Sequence, residues 1–171
     1  MSNKMKTFEG LEGIGMSERG ISKFLKESKS TLNLGTINSD GSPIIHPVWY
    51  YYDSKTMRIY FYTEPALKKA INIKERGGMV YFDVDSDKWP YKGVKGRGSA
   101  KIISDQDMAL SLGRKILTRY VRKGRPLMKY AVDKIRAGGY VIFEITPAYF
   151  TSWDFGKFVQ QDPSMRNSVI S

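Results

Sequence analysis

Apolar and polar residues alternate with two different periods along this chain, and the period switches at recognisable turn signals. Ser17 is suited to cap a helix, and Ile21, Phe24 and Leu25 beyond it share one face, which predicts a helix to about residue 28. Leu32, Leu34 and Thr36 then recur at every second position, the mark of a strand, and Asn38-Ser39-Asp40-Gly41 is a hairpin-type turn. Residues 43–52 read as the next strand. Pro47 lies inside it and cannot donate to a ladder, so this stretch has to be an edge, a bulge or a split in the sheet. A turn at 53–56 leads back into a strand at 57–63. A helix follows, with Pro65 in its first turn and Leu67, Ala70 and Ile71 facing inward, and Gly77-Gly78 ends it.

Val80, Phe82 and Val84 mark a strand at 79–85, and residues 94–103 form another, loosened by Gly96 and Gly98. Ser104 starts a helix running to about Tyr120. Pro126 opens a second helical piece, Gly138-Gly139 stops it, and 140–146 is the last clear strand. No repeat, low-complexity tract or long linker interrupts this order, so the 171 residues are expected to form a single domain, 1–171. A meander of strands with helices inserted predicts the α+β class, with a mostly antiparallel sheet that curls into a barrel and peripheral helices.

Composition removes several chemistries. Cysteine is absent, which excludes disulfides and thiol catalysis. A single histidine, His46, argues against a zinc site, and no metal is expected. No nucleophile-elbow motif accompanies His46. No apolar run approaches the roughly 18 residues of a spanning helix. The polar first twenty residues lack a signal-peptide core, so a cytoplasmic location and no membrane partner are expected. The net charge of +11 favours anionic ligands. Nine cations fall between Arg114 and Arg136: those two with Lys115, Arg119, Arg122, Lys123, Arg125, Lys129 and Lys134. A solvated helical face accounts for them most simply. A nucleic-acid surface is the alternative, disfavoured because no docking motif accompanies the charge.

Asp83, Asp85 and Asp87 recur with period two, but Lys88 stands where a calcium loop needs glycine, so they read as a strand end. Gly93, Gly96 and Gly98 have no helix directly after them and are not a dinucleotide or P-loop signature. The segment from Thr63 to Lys69 carries more. A helix start there would offer outward N–H groups to an anion, with the Thr63 hydroxyl just before it and Lys68 and Lys69 in its first turns. Trp49, Tyr50, Tyr60 and Tyr62 on neighbouring strands would supply apolar walls with polar edges. The same residues also suit an amphipathic helix packed on an aromatic core.

The run from Leu32 to Trp49, the strand ending in Ile59-Tyr60-Phe61-Tyr62-Thr63, the helix bearing Lys69-Ala70-Ile71-Asn72, the strand Val94-Lys95-Gly96-Arg97-Gly98-Ser99-Ala100, and the late Thr151-Ser152-Trp153-Asp154 together resemble the pyridoxamine 5′-phosphate oxidase-like, FMN-binding split-barrel family. That resemblance implies a split β-barrel and a homodimer with cofactor at the interface. FMN's isoalloxazine ring would lie along His46, Pro47, Val48 and Trp49 and along Tyr62 and Thr63. Its phosphate would be held by Lys69 or Lys68, with Thr63 and Arg58 assisting, and Trp89, Tyr91, Arg97 or Trp153 of the partner copy would close the pocket. The implied activity is flavin-dependent oxidoreduction of a small molecule whose identity stays open, with no catalytic residue singled out. A deazaflavin F420-dependent reductase on the same barrel is the alternative. The arginine-rich phosphate signature and C-terminal substrate motif of true pyridoxamine phosphate oxidases are not found.

Overall fold

The computed structural model describes residues 7–9 and 13–167. A short strand β1 (Thr7–Glu9) precedes helix α1 (Glu18–Glu27), where the Ser17 hydroxyl caps the start by accepting from Gly20 N–H at 3.2 Å. Strands β2 (Leu32–Ile37) and β3 (Pro43–Val48) pair antiparallel around a turn in which Gly41 takes φ +86°, a left-handed conformation that suits glycine. Trp49 alone separates β3 from β4 (Tyr50–Asp53), and β5 (Arg58–Thr63) then leads to α2 (Lys68–Glu75). Strands β6 (Met79–Asp85) and β7 (Lys92–Ile102) form a long hairpin. Helices α3 (Gln106–Tyr120) and α4 (Pro126–Arg136) intervene before β8 (Val141–Asp154), and α5 (Phe155–Gln161) follows.

The strands join in the order β3-β2-β6-β7-β8-β5-β4, every pair antiparallel, with β1 added parallel to β8. Strands β3 and β4 are therefore opposite ends of the order, yet one residue connects them. Two Cα–Cα steps span about 7.6 Å at most, so the two ends of the sheet must curl until they nearly meet. They are not paired with each other, which makes this a split barrel. The break follows Pro47, where the missing donor had called for an edge or a split.

Inside, the alternation holds. Leu32, Leu34, Val80, Phe82, Val84, Val94, Phe143, Ile145 and Phe150 fill the core, with Phe61 stacked on Phe143 at 5.2 Å. Ile21 and Leu25 of α1 join them, while Leu112 and Ile116 of α3 cover the outer face beside Tyr60 and Ile142. Three expectations change. The α3 cap is Asp105 rather than Ser104, because its carboxylate reaches the Met108 N–H at 2.7 Å. Strand β8 runs eight residues past its expected end at 146, since β7 continues to pair with it as far as Asp154. The short strand at Thr7–Glu9 was not foreseen at all.

The inward glycines of β7 permit close approach. A Cβ on Gly96 would meet the Tyr149 carbonyl oxygen and come within 2.7 Å of Phe82 Cζ. Gly96→Ala is expected to lower stability by about 1–3 kcal/mol through overpacking, read from the urea-unfolding midpoint. An unchanged midpoint would contradict this packing.

Candidate functional site

The Glu64 carbonyl accepts the Leu67 N–H at 3.2 Å, so the residues after β5 make a turn before helix begins. Helix α2 therefore starts at Lys68 and not near Pro65, which lies in the turn. Its N-cap is Leu67, no side chain caps it, and its first turn holds no acidic residue. The helix end thus offers uncapped N–H groups to a ligand or to water. Lys68 points to solvent, whereas Lys69 is 9% exposed. Asn72, one turn on, fixes the helix to the sheet by donating to Thr36 Oγ1 at 3.1 Å and Asn38 Oδ1 at 3.0 Å.

Three polar groups lie near this helix start: Lys69 in its first turn, Thr63 at the end of the preceding strand, and His46, whose imidazole feels the Lys69 charge. Lys69 makes no ion pair or hydrogen bond among the described residues. Burial pushes its ammonium below the usual lysine value, with Glu64 pulling partly the other way. The Thr63 hydroxyl, at the end of β5, is buried and has no hydrogen-bond partner. His46, opposite Leu34 on the edge strand β3, has a buried Nε2 that is likewise unpaired. Its pKa falls below 6.5, first through burial and then through the Lys69 charge. Buried polar groups are ordinarily satisfied, so the unpaired Thr63 hydroxyl and His46 Nε2, with the Lys69 ammonium and the uncapped helix N–H groups near them, make a set of groups suited to an anion.

Aromatic residues pack on the outer face of β5 and just beyond the end of β3. Trp49 stacks on Tyr120 at 5.0 Å and 6°, and Tyr62 packs on Tyr140 at 5.1 Å. Trp49, Tyr62 and Tyr140 rest on Leu117, Ala131 and Val132, so the α3–α4 hairpin is the floor beneath them. Tyr50 and Tyr60 are not walls, contrary to expectation. Both are core residues, their hydroxyls committed to the Leu25 carbonyl at 2.9 Å and to Glu144 at 3.1 Å. Val48 is buried and Pro47 exposed on the same edge strand.

The fold separates the remaining candidates from Lys69 within one chain. Arg58 begins β5 while Thr63 ends it, about 17 Å away along the strand. Its guanidinium is bound to Glu144 and to Thr146 Oγ1. Trp89, Tyr91 and Trp153 gather near the tip of the β6–β7 hairpin: Trp89 lies 5.4 Å from Tyr91 and 6.0 Å from Phe155, and Trp153 covers Gly93. Helix α2 feeds the opposite end of β6, at Met79. Arg97 is exposed on the outer sheet face, over Tyr149 at 5.8 Å. Sequence reasoning missed the Tyr120 and Tyr140 partners, because only the docking of α3 and α4 brings them to Trp49 and Tyr62. Among the described residues no group of acidic residues and histidine suited to a metal occurs.

Comparison places this geometry among known proteins. The family model described as pyridoxamine 5′-phosphate oxidase matches residues 19–154. A search of curated proteins finds no match. Among solved structures, the conserved hypothetical protein Rv2991 from Mycobacterium tuberculosis is 27% identical, with a TM-score of 0.74, covering 88% of this chain and 92% of that one. An F420 reductase is 22% identical with a TM-score of 0.57, over 75% of this chain and 94% of its own. A FAD-binding protein from Mesorhizobium loti is 18% identical with a TM-score of 0.57, over 81% and 94%. The latter two likenesses are of fold alone.

Because the folded state lowers the pKa of His46, the unfolded chain binds more protons below the ordinary imidazole value of 6.5. The stability associated with a neutral His46 is present above that value and lost as pH falls through the lower folded value. His46→Gln is expected to flatten the stability profile on the acid side of 6.5, measured by urea unfolding across pH. A profile identical to that of the unsubstituted protein would contradict it.

Proposed function

This chain belongs to the pyridoxamine 5′-phosphate oxidase family, and from that premise we propose that it is an oxidoreductase whose flavin-type cofactor sets its phosphate on Lys69 at the start of α2. The observation that carries this reading is Lys69, largely buried and with no salt bridge or hydrogen bond among the described residues, near the unpaired buried Thr63 hydroxyl and His46 Nε2. A phosphate would give each of them a charge-assisted partner. When bound there, the cofactor would supply hydride or electron transfer to a small substrate.

The protein's part is binding and orientation. Strand β3 is an edge, so its free backbone groups can meet the polar rim of a ring, while Trp49 and Tyr62 offer apolar surface. The α3–α4 floor keeps water from one side of that surface. His46, held towards its neutral form, presents a hydrogen-bonding nitrogen without adding a second charge beside Lys69. FMN is the leading cofactor. F420 is the second reading, favoured by the excess of cations, because it carries acidic groups beyond its phosphate. Trp89, Tyr91, Arg97 and Trp153 fit this scheme as contributions from a second copy of the chain, since each lies away from Lys69 in its own.

Mass analysis of the chromophore released from purified protein discriminates the cofactors, and a colourless protein that takes up neither FMN nor F420 would overturn the proposal. Lys69→Ala is expected to weaken cofactor binding by tenfold or more, about the loss of one charge-assisted hydrogen bond, whereas Lys123→Ala leaves it unchanged. Equal affinities of the two variants would remove the phosphate assignment.

A further inference from the structure

The tip of the α3–α4 hairpin carries a surface that the cofactor site does not use. Arg122, Lys123 and Arg125 are all exposed there. The Arg125 N–H donates to the Arg122 carbonyl at 3.3 Å, which folds the three cations into one turn. From Arg114 to Arg136 the sequence holds one carboxylate, Asp133, already engaged by Lys129 at 3.1 Å and Arg136 at 2.8 Å. None of the three tip cations forms an ion pair among the described residues. Directly after them, Leu127 and Tyr130 are 46% and 51% exposed. Three positions apart, they share a face of α4 turned away from the buried Val132 and Ile135.

We propose that this tip docks the protein on a bilayer surface carrying anionic lipids. The cations complement lipid phosphates and carboxylates, Leu127 enters the acyl boundary, and the exposed ring of Tyr130, whose hydroxyl meets the Tyr140 side chain, sits at headgroup level. A nucleic-acid backbone would use the same cations but give Leu127 no apolar partner. Docking is peripheral: no helix among the described residues is long and apolar enough to cross a membrane. Counting charges along the chain suggests only a solvated face, because charge alone does not show that Leu127 and Tyr130 stay outside the core.

Co-sedimentation of the full chain with vesicles tests this. Binding is expected to mixed phosphatidylcholine–phosphatidylserine vesicles, weakening with salt, and not to pure phosphatidylcholine. Combined Arg122→Glu, Lys123→Glu and Arg125→Glu should weaken partitioning by roughly a hundredfold, about fivefold per cation removed. Leu127→Ser with Tyr130→Ser should weaken it roughly tenfold with charge unchanged, while Lys55→Glu on the distant β4–β5 turn leaves it intact. Equal binding to both vesicle types would overturn the proposal, as would a Leu127→Ser, Tyr130→Ser protein that binds like the original. Tight duplex DNA binding indifferent to those two residues, with no vesicle binding, would assign the tip to nucleic acid instead.

Discussion

Strand β8 is the element on which the rest of the structure depends. Residues 143–154 of this strand pair with β7 along one edge and residues 141–145 with β5 along the other, and so join two halves of the sheet that are far apart in sequence. A register shift between Arg97 and Gly98 bends the β7–β8 ladder, and glycines on the inner face let the strands close in. The resulting curl brings the ends of the strand order together. Thr63 on β5, His46 on β3 and Lys69 on α2 then share one side of the split.

Two of these groups, the Thr63 hydroxyl and His46 Nε2, are buried without a partner among the described residues, which costs free energy. The core and the Asn72 anchor hold them in place near Lys69, an arrangement that favours an anion. The uncapped α2 terminus adds to the same preference. Arg58 shows the contrast: equally cationic and on the same strand as Thr63, it is paired with Glu144, which also pairs with Lys101.

Much of this was legible in the chain before folding. Period-two runs located β2 and β6, and Pro47 marked an edge, a bulge or a split, because both signals are local consequences of backbone geometry. Lys69 stood out for the same reason, as a cation near a helix start after a threonine. The length of β8 did not show, since residues beyond Thr146 hold their strand only by pairing with β7. Local pattern also placed the α2 start at Pro65, where the Glu64–Leu67 hydrogen bond makes a turn instead. Tyr50 and Tyr60 look the same as Trp49 and Tyr62 in sequence. Only the packing of α1 and the Glu144 carboxylate puts the first two in the core and leaves the others against the α3–α4 hairpin.

The central claim is that Lys69 and its neighbours recognise a phosphate rather than a ring. Titrating the apoprotein with FMN and with riboflavin, which differ by that phosphate, measures it directly. The account predicts that the original chain prefers FMN by at least tenfold, about the worth of one charge-assisted hydrogen bond, and that Lys69→Met erases most of the preference while riboflavin affinity stays unchanged. Equal affinity for both ligands, or a substitution that weakens both alike, would contradict it.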